Sequence, residues 1–463
     1  MMVSIEARPS TGDRLDFVDQ ALFLGLRATG QAAAMQMVWV YSHPVDWTEL
    51  RRFHSDFGYG LAGRLIEPSL LPFGRHRWVA SPGPAGPLEV ADEPRARSEL
   101  SDWLDERAQL PIDPEFGPGW HMGVLPMTDG STAVSLVGSH CIGDGGAALL
   151  TVFDAVRGNR RELGYLRPRS RTRREALAAD ARQALRDVPE LSRTLVAAAR
   201  FLRRRRKDGS LSDRPKRRRP FERVRQRSRV GYDDAVVVPV VSALVSLEEW
   251  DARAETLGGN SHSLLAGFAA RLAVHQGREL AGDGTVGLIV PINDRTLSDT
   301  RANAVTLAYV RVDPTHVATD LSTTRSAIRA ALEVMREGPD EALRLLPLAP
   351  FIPKFAVRRS ADLAFGFTEQ PVSCSNVGDL PVEVACPDGT PAEQVMLRGV
   401  DRHITRGVLE ERHGVLTVVS GRLDGKVCIT VVGYQPGVDN TKECLRARVA
   451  KALSEFDLRA VIV

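Results

Sequence analysis

Apolar positions along this chain gather into short runs and stripes of strand and helix length. Residues 35–41 (MQMVWVY) form a β-rich run, and residues 132–138 (TAVSLVG) read as a buried strand ending just before Ser139 and His140. Gly143, Gly145 and Gly146 then predict a turn, followed by a short helix over 147–156, while residues 56–60 predict an earlier loop. Further on, 235–247 gives a long strand signal. The segment 246–257 (SLEEWDARAETL) opens with an N-cap serine and acids in its first turn, so it predicts a helix. A second helical stripe covers 263–275, strands are predicted at 286–291 and 304–312, and an amphipathic helix at 321–336. Residues 416–421 and 426–434 predict paired strands joined by a turn containing Asp424 and Gly425, and 440–456 a closing helix. The pattern is mixed α/β, with no internal repeat at solenoid periods.

With 463 residues the chain is too long for one ordinary core and suits two lobes of roughly 200 residues each. A hydrophobic content of 43% and a charged content of 26% are those of a globular protein. No run approaches the roughly 18 apolar residues of a membrane span. The first residues carry acids early and lack the apolar stretch of a secretory signal. Cys141, Cys374, Cys386, Cys428 and Cys444 are an odd, scattered set, which points to free thiols and a cytoplasmic setting.

Charge changes this picture. Residues 157–229 hold 24 Arg and 2 Lys against 8 acidic residues, a net +18 that leaves −15 for the rest. The chain therefore divides into a lobe over 1–156, an Arg-rich crossover over 157–230 and a second lobe over 231–463. Within the crossover, 191–206 (LSRTLVAAARFLRRRR) has an apolar face and a basic end, as an interfacial helix does. Anionic headgroups attract such a segment by about 1 kcal/mol per basic residue. Peripheral docking on the inner face of a membrane and a solvated linker both remain open. No zinc-finger spacing, RNP-like aromatic pattern or helix-turn-helix accompanies the charge, so nucleic acid is not an expected partner.

The densest chemistry lies in Ser139-His140-Cys141-Ile142-Gly143-Asp144-Gly145-Gly146. A histidine titrates near neutrality, so it can take a hydroxyl proton and return it, and the glycines let substrate approach the backbone. On the hexapeptide alone, a core histidine followed by a turn aspartate is an equal reading. A metal site is not expected, because no second histidine or cysteine pair stands at ligand spacing.

With its surroundings the motif resembles the thioester-dependent acyltransferases related to chloramphenicol acetyltransferase and peptide-synthetase condensation domains. Within these it looks most like the bacterial wax ester synthase/diacylglycerol acyltransferase family. The likeness runs in order through LDFVDQ (15–20), GWH (119–121), the stretch 132–146, the helix 263–271, VPINDR (290–295), Ala302-Asn303 and SNVG (375–378). It implies an α/β (α+β) fold of two chloramphenicol-acetyltransferase-like lobes with an active-site tunnel between them. It also implies an acyl-CoA or acyl-carrier thioester as donor, an alcohol acceptor such as diacylglycerol or a long-chain alcohol, and no cofactor. His140 matches the catalytic base. Asp144, with Gly145 beside it, matches a structural aspartate paired with an arginine, for which Arg295 stands. Ser375, Asn376 and Ser139 are the candidates for tunnel lining or oxyanion contact.

The sequence also departs from that family. Ser139 replaces the first of two adjacent histidines, Ala302 replaces a glycine, and Asn376-Val377-Gly378-Asp379-Leu380 replaces an N-V-P-G-P run. The last looks more like condensation-type or polyketide-associated acyltransferases, and implies as the alternative a free-standing enzyme that esterifies a natural-product or glycolipid hydroxyl from CoA or a carrier protein.

Overall fold

A computed structural model describes residues 12–207, 234–337, 343–352 and 370–463. Its strands are β1 (Ala32–Tyr41), β2 (Arg64–Glu67), β3 (Arg77–Ala80), β4 (Leu88–Val90), β5 (Trp120–Pro126), β6 (Thr132–Ser139), β7 (Val240–Ser246), β8 (Val286–Asn293), β9 (Val305–Val312), β10 (Val372–Asp379), β11 (Gln394–Arg402), β12 (Val415–Leu423), β13 (Lys426–Tyr434) and β14 (Ala460–Ile462). The helices are α1 (Phe17–Thr29), α2 (Trp47–Phe57), α3 (Leu100–Gln109), α4 (Gly145–Val156), α5 (Arg173–Lys207), α6 (Leu247–Thr256), α7 (Ser261–His275), α8 (Ser322–Glu337), α9 (Arg406–Glu411) and α10 (Lys442–Glu455).

Two sheets carry the architecture, ordered β11-β1-β6-β5-β4 and β14-β7-β13-β12-β10-β8-β9. The first is antiparallel except at β4–β5. Its β11 comes from the second half of the chain and pairs with β1 from Ala32 opposite Arg402 to Val40 opposite Gln394.

β1 is apolar apart from Gln36 and the Tyr41 hydroxyl because both of its faces are covered, and Gln36 Nε2 donates to Leu104 O and Ser135 Oγ, both at 2.9 Å. Val38 and Val40 pack with Leu100, Trp103 and Leu104 of α3, and Ala34 with Ala108. Met37, Trp39 and Tyr41 point the other way, toward Leu50, Phe53 and Phe57 of α2. In the second sheet Val241, Val245, Val418, Ile429 and Val431 bury one face against Phe268 and Leu272 of α7 and Val449 and Leu453 of α10. The opposite face of that sheet turns toward the first lobe.

The predicted strand over 235–247 is shorter than expected, running only Val240–Ser246. Pro239 has no N–H to donate to a ladder, and its carbonyl alone is used, by Gly433 N at 3.1 Å. Ser246 caps α6 as its position implied, accepting from Glu249 N at 3.4 Å. Asp56 and Phe57, expected in a loop, instead finish α2.

The Arg-rich segment contributes α5, which is fastened to the residues before it by the buried Asp180 and the half-buried Asp187. Asp180 accepts from Ser69 Oγ at 2.8 Å and Leu70 N at 2.9 Å and pairs with Arg14 at 2.8 Å. Asp187 pairs with Arg75 at 3.3 Å. Arg217, Arg218 and Arg219 lie outside the described residues. Among the described residues, no helix is long and apolar enough to cross a membrane.

Candidate active site

Between the two sheets lies a cavity of about 320 Å³, at the small end of the range that holds ligands. Strand alternation decides what faces it. Opposed residues of antiparallel neighbours share a face, so β6, β1 and β11 present three rungs to the cavity. The first rung is His140, Ala33 and Asp401; the second Gly138, Met35 and Gly399; the third Leu136, Met37 and Leu397. Polar groups thus occupy one end and branched or thioether side chains the other. Ser373, Ser375 and Val377 of β10, with Thr417 and Val419 of β12, supply the facing wall.

The backbone of His140 is held from two sides. Its N–H donates to Ala33 O at 3.1 Å, and its carbonyl accepts from Asn303 Nδ2 at 3.3 Å. The ring lines the cavity, with Nδ1 buried and without a hydrogen-bond partner among the described residues. Burial pushes the neighbouring Cys141 thiol up to about 12, so it is protonated at neutral pH and unavailable as a thiolate.

Asp144 does not line the cavity. It is the N-cap of α4, accepting from Ala147 N at 2.7 Å, and it reaches across to the second lobe. Its Oδ2 accepts from Ala304 N at 2.7 Å, and its Oδ1 accepts from Arg295 Nη2 at 3.0 Å. Arg295 also donates to the carbonyls of Ala302 and Arg301, both at 2.9 Å. Gly145, next in sequence, opens α4 on the cavity wall, where an added Cβ would meet nothing within 4 Å.

Two further residues complete this clamp and were not singled out by the sequence reading. Asp19 on α1 is fully buried and accepts from Ala302 N, Asn303 N and Asn303 Nδ2 at 2.9–3.0 Å. Burial raises its pKa, against the lowering effect of those donors. Arg64 lies over the Trp78 ring at 3.8 Å and donates to Ile142 O at 2.9 Å and to Thr300 O. The loop between β8 and β9 is therefore tied at four points to the segment that carries His140.

Of the other residues picked from sequence, Ser375 reaches the cavity. Asn376 turns to its own loop, its Oδ1 accepting from Gly378 N at 2.9 Å, and Ser139 is buried with Oγ toward Cys141 N at 3.3 Å. Neither is on the cavity wall, because each alternates to the opposite side from its neighbour in the strand. Among the described residues, no three His, Cys, Asp or Glu side chains gather as a metal site.

Sequence comparison matches no protein-family model and no curated protein. Solved structures do match over nearly the whole chain. The first condensation domain of the CDA synthetase aligns with a TM-score of 0.55 at 14% identity, covering 98% of this chain and 100% of that one. A wax ester synthase/diacylglycerol acyltransferase from Marinobacter aquaeolei aligns at 0.52 and 14%, covering 96% and 99%. A trichothecene 15-O-acetyltransferase from Fusarium sporotrichioides aligns at 0.54 and 10%, covering 97% and 94%. The chain has the two-lobed fold of the condensation-domain and chloramphenicol-acetyltransferase-like acyltransferases.

Proposed function

We propose that this protein is an O-acyltransferase that moves an acyl group from a thioester, acyl-CoA or a carrier-bound acyl chain, to an alcohol. The observation that carries the reading is the position of His140, at the polar end of a cavity lined by both lobes. The imidazole takes the proton of the acceptor hydroxyl as its oxygen attacks the thioester carbonyl. The tetrahedral oxyanion collapses with cleavage of the C–S bond, and the imidazolium returns its proton to the leaving thiolate. Ser375 Oγ and the positive end of α4 at Gly145 are the groups near enough to the cavity to stabilise the oxyanion. Asp144 and Arg295 act indirectly, by holding the His140 segment in place.

For the acceptor, diacylglycerol or a long-chain alcohol is the first reading, supported by the mostly apolar lining of the cavity. A natural-product or glycolipid hydroxyl is the second, supported by Asp401 at the polar end. The decisive experiment is thiol release from a panel of acyl-CoAs, with and without long-chain alcohols and diacylglycerol, beside His140→Ala. Alcohol-dependent release that disappears in the variant is expected. Equal rates in wild type and variant would remove His140 as the base.

The reading extends to docking on an anionic membrane surface. Leu185 is 73% exposed, and Leu177, Val188, Leu195 and Val196 are exposed on the same face of α5 at 3.6 residues per turn. Arg182, Arg186, Arg193 and Arg200 are exposed on the same helix, a combination suited to headgroups above and acyl chains below.

A further inference from the structure

Asp401 is a carboxylic acid on the wall of a mostly apolar cavity. It stands opposite Ala33 in the β1–β11 register, and His140 stands opposite Ala33 on the other side. Neighbouring strands are about 4.8 Å apart, so the two polar side chains rise from points about 10 Å apart. Ala33 is the residue between them in the strand register. Among the described residues Asp401 makes no hydrogen bond and no ion pair within 4 Å. Its buried neighbours on β11, Arg398 and Arg402, are engaged elsewhere: Arg398 with Asp105 and Gln36, Arg402 with the carbonyls of Gln109 and Ile112. Burial raises the Asp401 pKa, and the field of Arg412 acts in the opposite sense. A carboxyl group held in such a place without a partner is costly to folding unless something else needs it.

We propose that Asp401 recognises the acceptor: its carboxyl group receives a hydrogen-bond donor, an ammonium or a second hydroxyl, carried a few bonds from the hydroxyl that His140 deprotonates. The inference rests on the acyl-transfer reading and narrows it, from any alcohol to amino alcohols and polyols. Leu136, Met37 and Leu397 line the far rung and suit an acyl chain, which offers no donor. The first rung is where the acceptor must lie to reach His140. Gly399 and Gly138, on the rung between, leave the space above the sheet open: an added Cβ at Gly399 meets nothing within 4 Å, and at Gly138 only Trp120 Cβ at 3.8 Å.

The test uses the full-length protein with three acceptors of equal length: 1-octanol, 1,2-octanediol and 2-amino-1-octanol. Wild type is expected to favour the diol and the amino alcohol over the simple alcohol by about tenfold or more in kcat/KM. In Asp401→Leu that preference falls to within about twofold, through acceptor KM, with the KM of the thioester unchanged. Asp401→Asn keeps the size of the side chain and an acceptor oxygen, so it retains the diol preference and loses the amine preference. If Asp401→Leu does not fold, the amine arm with Asp401→Asn decides. An unchanged acceptor ranking in the folded variants overturns the proposal, as does a change confined to the thioester KM. Calorimetric binding of the same three compounds without donor gives a second readout. If wild type shows no acceptor-dependent thiol release, the acyl-transfer reading fails by itself. Binding of the amino alcohol that Asp401→Leu weakens at least tenfold still upholds the recognition role, and equal binding rejects it.

Discussion

Asp144 and Arg295 stand 151 positions apart in the sequence and 3.0 Å apart in the structure, each side chain no more than 5% exposed. Removing one partner leaves a buried charge, which typically costs about 3–5 kcal/mol. Arg295→Met is therefore expected to lower the denaturation midpoint markedly and to reduce turnover with it. Asp144→Asn keeps the N-cap of α4 but loses the charge pairing, so a similar though smaller loss is expected. Chemical denaturation of both variants measures this, and a midpoint equal to wild type in both would contradict it.

His140→Ala separates chemistry from stability. The ring makes no hydrogen bond among the described residues, and its position is set through its backbone. Turnover is expected to fall by about 10²–10⁴-fold, the usual worth of a general base, with a denaturation midpoint close to wild type. A large loss of stability instead would assign the residue to the core.

Gly399→Val probes the passage from the His140 end of the cavity to its apolar end. The added side chain enters open space beside Met35, and the backbone at 399 is not in the left-handed region. The longest accepted acyl chain should shorten while activity with short acyl-CoAs is retained. A chain-length profile identical to wild type would place the acyl group elsewhere.

Stability should fall as the pH drops from 6.5 toward 4. Burial and the adjoining Arg107 guanidinium lower the pKa of His121 to about 4, and burial does the same for His76. His121 Nδ1 lies 3.0 Å from Arg107 Nη2, so a neutral ring accepts that hydrogen bond and a protonated one cannot. Because the folded pKa lies below the unfolded value, this contribution is complete above pH 6.5 and lost as the pH falls through the folded pKa. His121→Gln should flatten the melting temperature over this range, and an unaltered slope would exclude the residue as a source.

The α5 surface makes a separate prediction. Wild type should co-sediment with vesicles containing anionic lipid more than with zwitterionic ones, and more weakly as salt rises. Leu185→Glu with Leu195→Glu should abolish this without loss of thiol-release activity on soluble acceptors. Equal partitioning of wild type and variant would leave α5 a solvated crossover.

The chain announced some of this site and hid the rest, for reasons that can be named. His140 and Asp144 are legible because one strand, one glycine turn and one helix start place them within five residues. Arg295 could be matched to Asp144 only through the family resemblance. Asp19 sits in a helix that periodicity did not reveal, and its partners Ala302 and Asn303 lie more than 280 positions away. Asp401 is harder still. Its side chain reaches the cavity because β11 leaves the second half of the chain and joins the first sheet, and no local pattern states which sheet a strand will join. Pro239 is the reverse case, where a single residue's missing N–H shortened a strand that composition had extended.

That same excursion of β11 has a consequence for synthesis. A ribosome releases residues 1–156 long before residues 394–402, so β1 emerges with one flank unpaired and stays so until most of the polypeptide has been made. The interval exposes a long hydrophobic edge, the kind of surface that chaperones occupy and that neighbouring nascent chains can capture. Severing the chain at the crossover would make the interval permanent, so the two halves are expected to be productive only when expressed together.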